Sequence, residues 1–221
     1  MIDYDNTLHD TEAQFQARLD GVYGLTMQQY AEAYVQVHRE IVHVRYPDMH
    51  DDFFFHQRLI CEHLGRSYDE EEARQVAKMI ELANNERWTA PWFFPDTLAF
   101  LDGVRESYTL CLTTGDFARE KADALEKMGG KTYFSFAFDH THLGIKGSGD
   151  FFRKALETVK AQADDAIVIG DCPDQDVRAA REAGIAAIWV NRKRIPLPDP
   201  SAPPDYEAAD LHEALKHLDN L

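Results

Sequence analysis

Short apolar runs alternate with helix-compatible segments between residues 108 and 190, and this alternation restricts the fold more than any other feature. Four runs are apolar and predict buried strands: residues 108–113, 133–138, 166–170 and 185–190. Helices are predicted between them at 117–128, 150–159 and 176–183. Near-continuous apolar strands separated by helices predict a parallel sheet with helices covering both of its faces.

Residues 12–88 have a different character, because they carry helix signals and nothing in them convincingly predicts a strand. Helix caps are expected at Thr26 with Gln29, at Asp51 or Asp52, and at Ser67 with Glu70. Four histidines lack a metal-ligand spacing and are expected to pack or to face solvent: His43, His50, His56 and His63. A stiff aromatic connector is expected at 86–95, before the strands begin to alternate with helices.

Together these patterns predict an α/β protein with a doubly wound (Rossmann-like) parallel sheet and an inserted all-helical cap domain. We expect residues 1–11 and 89–221 to form the α/β core and residues 12–88 to form the cap. In such sheets, ligands bind at the carboxyl ends of the strands, where the winding direction reverses. The candidate site residues should therefore follow directly after strands.

Two acids stand at the start of the chain, Asp3 and Asp5, followed by the turn-forming residues Asn6 and Thr7. In an extended segment, residues two positions apart point to the same side, so both carboxylates can face one pocket. Paired carboxylates suit a metal ion, or a division of labour between a nucleophile and an acid/base.

Two further segments could bind an anion. Thr113 and Thr114 end a predicted strand, where a hydroxyl and backbone N–H groups can hold an anionic group. Helix capping by Thr114 or Asp116 is an equally good explanation of that segment. Lys146 lies in a glycine-rich loop before a helix, where a compact cation can neutralise a phosphoryl group or a carboxylate cluster.

The strongest downstream segment begins at Gly170, where an apolar strand runs directly into acidic residues. Asp171 follows the glycine, and Asp176 comes five positions later. Acids grouped after a buried strand suit a hard, oxygen-ligated cation such as Mg²⁺. The alternative is a helix N-terminus decorated with acids that favour the helix dipole, and Asp176 is the acid most open to that explanation.

These residues resemble the motifs of a haloacid dehalogenase-like (HAD) superfamily hydrolase, of the type with a helical cap inserted after the first motif. Residues 3–7 are similar to the first family motif, Asp-x-Asp-x-Thr. Thr113 matches the hydroxyl of the second motif, and Lys146 matches the lysine of the third. Asp171 and Asp176 match the fourth, in which Gly-Asp is followed by an acid five residues later.

The resemblance implies a role for each of these residues. Asp3 would attack phosphorus and form an aspartyl-phosphate, and Asp5 would act as acid and then as base. Thr113, the Thr114 N–H and Lys146 would bind the phosphoryl group. Mg²⁺ is the implied cofactor, at a metal site formed by Asp3, the Asp5 backbone carbonyl, Asp171 and Asp176. Asp176 would hold a metal-bound water or orient Lys146.

Asp5 favours hydrolysis of a phosphate ester, because an alkoxide leaving group needs a proton and a halide does not. The leading hypothesis is therefore a Mg²⁺-dependent phosphomonoesterase acting on a small phosphorylated metabolite. Phosphotransfer, 2-haloacid dehalogenation and a non-catalytic binding role on the same scaffold are the alternatives. Only Met1 and Ile2 precede Asp3, so we expect the native chain to begin upstream of this start.

Composition limits the partners and the compartment. The formal net charge of −16 repels polyanions, so no nucleic-acid polymer is expected to bind. No apolar run approaches the length of a membrane span, so no membrane association is expected. Three widely spaced cysteines, Cys61, Cys111 and Cys172, fit a reducing cytoplasm. The chain is expected to be a monomer or a homodimer.

Overall fold

The structure is a computed structural model that describes residues 1–49 and 52–218. It divides into two compact units. Met1–Asp10 and Trp92–Leu221 form the first, here named the core unit. Thr11–Pro91 form the second, here named the helical unit.

A parallel sheet runs through the core unit. Its strands within the described ranges are β1 (Ile2–Asp3), β2 (Cys111–Thr113), β3 (Phe136–Phe138), β4 (Ile167–Gly170), β5 (Ala186–Val190) and β6 (Tyr206–Ala208). The strand order is β3-β2-β1-β4-β5-β6, and each neighbouring pair is parallel. The chain thus winds outward in both directions from β1, which confirms the predicted doubly wound sheet.

Helices within the described residues follow in chain order. The helical unit contains α1 (Thr11–Leu19), α2 (Met27–Val37), α3 (His43–Arg45), α4 (Phe53–His63) and α5 (Glu70–Thr89). The core unit contains α6 (Thr97–Val104), α7 (Ala118–Gly129), α8 (His140–Leu143), α9 (Gly149–Val159), α10 (Ala179–Glu182) and α11 (Leu211–Leu218). A five-residue π-helical turn, His38–Val42, joins α2 to α3. None of these helices is long and apolar enough to cross a bilayer.

Side-chain caps set the starts of the helices in the helical unit. The capping box of Thr26 and Gln29 is confirmed, with each side chain accepting from the other residue's N–H. Asp52 accepts from the Phe55 N–H at 2.8 Å and so caps α4. Asp51, the other cap candidate, and His50 lie outside the described residues. The nearby His56 is buried and lies 2.8 Å from the Met49 carbonyl oxygen.

The predicted cap at Ser67 with Glu70 is wrong. Asp69 caps α5 instead, because its carboxylate accepts from the Glu72 N–H at 2.8 Å and so meets an otherwise unpaired donor. The same helix continues to Thr89, so the first half of the expected connector at 86–95 is helical.

The sheet separates two apolar clusters of the core unit. Successive strand residues point to opposite faces. Ile169 and Ile188 accordingly pack in one cluster, and Val168 and Trp189 in the other. Burial on both faces explains why these strands are apolar throughout.

Strands β2 and β3 begin three residues later than their apolar runs, and strand β6 was not predicted. Ser107 and Tyr108 donate their N–H groups to the Val104 carbonyl and close α6, so β2 begins only at Cys111. The Tyr133 N–H donates to the Glu126 side chain of α7, which delays β3 in the same way. Strand β6 has only three residues and follows a proline-rich segment, so no pattern predicted it.

Candidate active site

The carboxyl ends of β1, β2 and β4 meet at one edge of the core unit. Asp3 is the last residue of β1 and lies in register with Thr113, the last residue of β2. Asp171 follows Gly170 directly, at the end of β4. Because β1 lies between β2 and β4, groups that are far apart in sequence reach the same edge of the sheet.

The loop after β1 turns back on itself and presents Thr7 to Asp3. Asn6 has a left-handed backbone (φ 58°), which a short polar side chain tolerates. Leu8 and His9 both donate their N–H groups to the Tyr4 carbonyl at 3.0 Å. The Thr7 hydroxyl can then donate to Asp3 Oδ2 at 2.9 Å, which fixes the carboxylate.

Arg192, two residues after β5, bonds the loop that carries Thr7. Its guanidinium makes two bonds of 3.0 Å to the Asp96 carboxylate and one of 2.9 Å to the Thr7 carbonyl. It also lies over the Phe94 ring, 3.8 Å from the centroid. A bidentate, stacked arginine of this kind is geometrically specific, so the position of Thr7 is well defined.

Three carboxylates lie close together, and two of them contact one lysine. Lys146 Nζ contacts Asp3 Oδ1 and lies 2.7 Å from Asp176 Oδ1. Each of Asp3, Asp171 and Asp176 offers an oxygen, and these oxygens all lie within 4.8 Å of one another. When all three acids are ionised, one ammonium does not balance their charge, and oxygen ligands at this spacing suit a hard divalent cation. The residues present therefore fit a Mg²⁺ ion.

Burial sets the protonation of this cluster. It raises the pKa of the Asp3 carboxyl to about 7, with Lys146 opposing the rise and Asp176 adding to it. Burial also raises the pKa of Asp171 well above its usual range, and the negative charges of Asp3 and Asp176 add to the effect. Burial by itself would lower the pKa of Lys146, but the two carboxylates that it contacts raise that pKa.

Asp176 reaches this cluster through an unusual turn. Pro173–Arg178 form a π-helical segment where an ordinary helix from 176 was predicted. The wider turn lets the Asp176 carboxylate fold back and accept from the Cys172 N–H at 3.0 Å. A Cβ atom on Gly170 would lie 2.2 Å from Asp176 Cγ, so only glycine admits this approach. The Asp176 carboxylate thereby lies within contact distance of Lys146.

The Asp5 side chain lies in a second group of polar residues. Its Oδ2 atom is 2.7 Å from Lys121 Nζ and 3.4 Å from the Thr114 hydroxyl. Lys121 Nζ is also 2.7 Å from both Thr114 Oγ1 and Asp116 Oδ1. Asp5 is about one-third exposed while Lys121 is completely buried, so this group extends from the interior to the surface.

Thr113 and Thr114 differ in what they can offer a ligand. The Thr113 hydroxyl is buried and has no hydrogen-bond partner among the described residues, which costs free energy unless a ligand supplies one. The Thr114 N–H, expected to face a phosphoryl group, donates to the Phe138 carbonyl at 3.0 Å instead. The expectation that this amide binds a phosphoryl group is therefore wrong, because the Thr114 N–H is already bonded to β3.

Helix α7 is not capped by Thr114 or by Asp116. Phe117 precedes it with a left-handed backbone (φ 50°), and Asp139 accepts from the Ala118 N–H at 3.0 Å. The pKa of Asp139 is held well below its usual range, because the hydrogen bonds that it accepts outweigh the opposing effect of burial. Asp139 therefore anchors the segment that carries Thr114.

Sequence reasoning missed Lys121 and Asp139. The signal for Lys121 was available, since it falls on the buried stripe of α7 with Ala118, Ala122 and Leu125. A lysine on an apolar helix stripe is rarely buried without a partner. Asp139 carried no such signal, because its partner, the Ala118 N–H, is 21 residues away in sequence.

A family model described as haloacid dehalogenase-like hydrolase matches residues 1–190, a span that contains every motif residue of the site. The chain belongs to the haloacid dehalogenase-like hydrolase family. The structure supports this assignment, because the motif residues of this HAD hydrolase lie at one edge of a doubly wound sheet.

The chain is similar to one curated relative and to two solved structures. The HAD hydrolase is 35% identical over 145 residues to phosphoserine phosphatase from Thermus thermophilus, covering 65% of this chain and 56% of that one. A 2-haloacid dehalogenase from Pseudomonas syringae superposes with a TM-score of 0.64 at 24% identity, and the match covers 99% of this chain and 96% of that one. Magnesium-bound YfnB from Bacillus subtilis, a HAD hydrolase, superposes with a TM-score of 0.69 at 16% identity, and the match covers 100% of this chain and 97% of that one. The two solved structures show the fold alone, and the matched region spans about half the length of the phosphatase.

Proposed function

We propose that this HAD hydrolase is a Mg²⁺-dependent phosphomonoesterase that acts on a small phosphorylated metabolite through an aspartyl-phosphate intermediate. The observation that carries the proposal is the cluster of Asp3, Asp171 and Asp176, in which Asp3 and Asp176 contact Lys146. An anionic nucleophile can approach an anionic phosphoryl group only where positive charge offsets both, and this cluster has the ligands to concentrate such charge.

The metal ion would be held by the carboxylates of Asp3 and Asp171 and by the Asp5 backbone carbonyl. When bound, it would act as a Lewis acid toward the phosphoryl oxygens and offset their charge. Lys146 and the partnerless Thr113 hydroxyl would donate to the phosphoryl oxygens. Asp176 would hold Lys146 in place, as their 2.7 Å contact indicates.

The reaction then takes two steps on this chain's own residues. An Asp3 oxygen attacks phosphorus, the bond from phosphorus to the ester oxygen breaks, and the Asp5 proton passes to that leaving oxygen. Water next attacks phosphorus and gives its proton to the Asp5 carboxylate. The bond from Asp3 to phosphorus breaks, which releases inorganic phosphate and restores both side chains.

Asp5 supports phosphate ester hydrolysis over cleavage of a carbon–halogen bond. A halide leaves without a proton, whereas an alkoxide needs a donor, and the Asp5 carboxylate lies partly exposed two residues after Asp3. The similarity to a phosphoserine phosphatase adds phosphorylated hydroxy-amino acids to the substrates worth testing.

A substrate panel with and without a chelator tests the activity. Phosphate release from a set that includes phosphoserine and p-nitrophenyl phosphate should require Mg²⁺ and stop with EDTA. Halide release from 2-chloropropionate should stay at background in the same assay. Halide release without phosphate release would establish the dehalogenase alternative, and neither product from a folded chain would favour a binding role.

Magnesium should also change stability in a pH-dependent way. Without metal, the folded chain binds protons at Asp3 and Asp171 up to higher pH than the unfolded chain does. The contribution of Asp3 to the free energy of unfolding therefore falls as pH rises from about 4 to about 7, and the contribution of Asp171 also falls as pH rises. Mg²⁺ needs ionised ligands, so its stabilisation should be larger at pH 8 than at pH 5.

Thermal unfolding at the two pH values measures this effect. At a magnesium concentration 100-fold above Kd, the stabilisation should reach about 2.7 kcal/mol at pH 8. Asp171→Asn is the matched control and should lose most of the shift. An equal shift at both pH values would contradict the proposed metal ligands.

A further inference from the structure

Lys121 is a fully buried cation at this edge of the sheet, and the family motifs give it no role. It projects from α7, and its side chain has no solvent exposure. Three oxygens lie 2.7 Å from its Nζ atom: Asp5 Oδ2, Thr114 Oγ1 and Asp116 Oδ1. An ammonium group has three donors, so these three acceptors match its capacity. The Tyr4 ring centroid lies 5.3 Å away from the same atom.

This arrangement fixes Asp5 from one side. Lys121 and the Thr114 hydroxyl both bond Oδ2, so the carboxyl rotamer is held by two groups. Lys121 is in turn held by Asp116 and by the rigid helix that carries it. Asp5 itself follows β1 and is about one-third exposed, whereas Lys121 is fully buried.

We propose that Lys121 is a positioning residue for Asp5, and that it aims the carboxyl at the leaving oxygen of the substrate. The inference rests on the proposed function, because it needs Asp5 to donate the proton. Lys121 bonds Oδ2, so the proton would travel from Oδ1 to the ester oxygen as the bond from phosphorus breaks. Lys121 itself, being fully buried, would not touch the substrate.

A purely structural role for Lys121 makes a different prediction. Buried ion pairs often contribute little to stability compared with apolar groups of similar size. Any structural damage from replacing Lys121 would disturb Asp3, Lys146 and Asp5 together, and it would slow every substrate alike. A positioning role instead acts through Asp5. It slows departure of the leaving group only when that group needs a proton, whereas its effect on the later water step is the same for every substrate.

Leaving-group dependence separates the two roles. In Lys121→Met, kcat/KM for alkyl phosphates such as phosphoserine, which reports the steps up to departure of the leaving group, should fall about 100-fold, within the usual contribution of general acid catalysis. For p-nitrophenyl phosphate, whose phenolate leaves without a proton, the loss should stay below about 10-fold. Lys127→Met, on the exposed face of the same helix, is the matched control and should leave both rates unchanged.

A double variant tests whether Lys121 acts through Asp5. Adding Lys121→Met to Asp5→Asn should cause little further loss on alkyl phosphates, because groups that act as a unit are not additive. If Lys121→Met does not fold, as judged by its thermal unfolding, Lys121→Gln takes its place in the same measurements.

Each outcome decides the question. Equal losses on both substrate types, additive losses in the double variant, or no loss at all would each overturn the positioning role. A wild-type chain that binds Mg²⁺ but releases no phosphate from any ester would overturn the proposed function, and the inference would fall with it. An active wild type with an equally damaged Lys121→Met would overturn the inference alone.

Discussion

Replacing Asp3 with asparagine is expected to reduce phosphate release by at least about 10⁴-fold while leaving the chain folded. The amide is nearly the same shape as the carboxyl, and its oxygen can still accept from the Thr7 hydroxyl that now lies 2.9 Å from Asp3. It is, however, a poor nucleophile and a poor metal ligand. Phosphate release and thermal unfolding, measured on the same preparation, test both halves of the prediction.

Metal-free Asp3→Asn should be at least as stable as the wild type at pH 8. Burial raises the pKa of Asp3, which means that its charge destabilises the folded state, and the substitution removes that charge. Asp164→Asn, an exposed acid of the core unit, is the control and should keep full activity. Substantial phosphatase activity in Asp3→Asn would remove Asp3 from the role of nucleophile.

The second large effect is expected from Gly170→Ala. The added Cβ would lie 2.2 Å from Asp176 Cγ and 2.3 Å from its Oδ2, so the Asp176 carboxylate must move. Its bond to the Cys172 N–H and its contact with Lys146 would be lost together. We expect a loss of about 3 kcal/mol or more in the free energy of unfolding, from overpacking and from unpairing a buried charge.

Magnesium binding should weaken in the same variant by at least about 10-fold, because an outer ligand of the site is displaced. Chemical denaturation and a magnesium titration measure the two effects. Gly103→Ala is the matched control, since its Cβ would meet Leu215 Cδ2 at an ordinary 3.4 Å. An alanine in that helix should stabilise by about 0.5–1 kcal/mol. A Gly170→Ala variant as stable as Gly103→Ala would show that the position of Asp176 does not depend on the absence of a side chain at residue 170.

The sheet could be predicted because its signal is local. Strands β4 and β5 are buried on both faces and are therefore apolar along their length, as Val168 and Ile169 illustrate. The meeting of Asp3, Thr113 and Asp171 follows from topology alone, since parallel strands end at one edge of the sheet. No side-chain detail was needed to bring them together.

The rest of the site depended on contacts that no local pattern encodes. The Thr114 N–H is used by Phe138, which reaches it only because β3 pairs with β2. Asp176 reaches Lys146 through a π-helical turn, and helix signals do not distinguish that turn from an ordinary one. Lys121 joins Asp5 from 116 residues away, so its importance emerged only with the fold.

The points where the chain leaves and rejoins the sheet bear on how such a protein can evolve. Asp10 donates its N–H to the Trp92 carbonyl at 2.7 Å, and Phe94 donates to the Leu8 carbonyl at 3.1 Å. The inserted segment of roughly eighty residues therefore begins and ends at one pair of hydrogen-bonded strands of backbone. The entropic cost of bringing the two ends of an insertion together depends only weakly on the length of the intervening chain. Changes in the length or sequence of this insertion could therefore arise while the sheet contacts around Asp3 stayed the same.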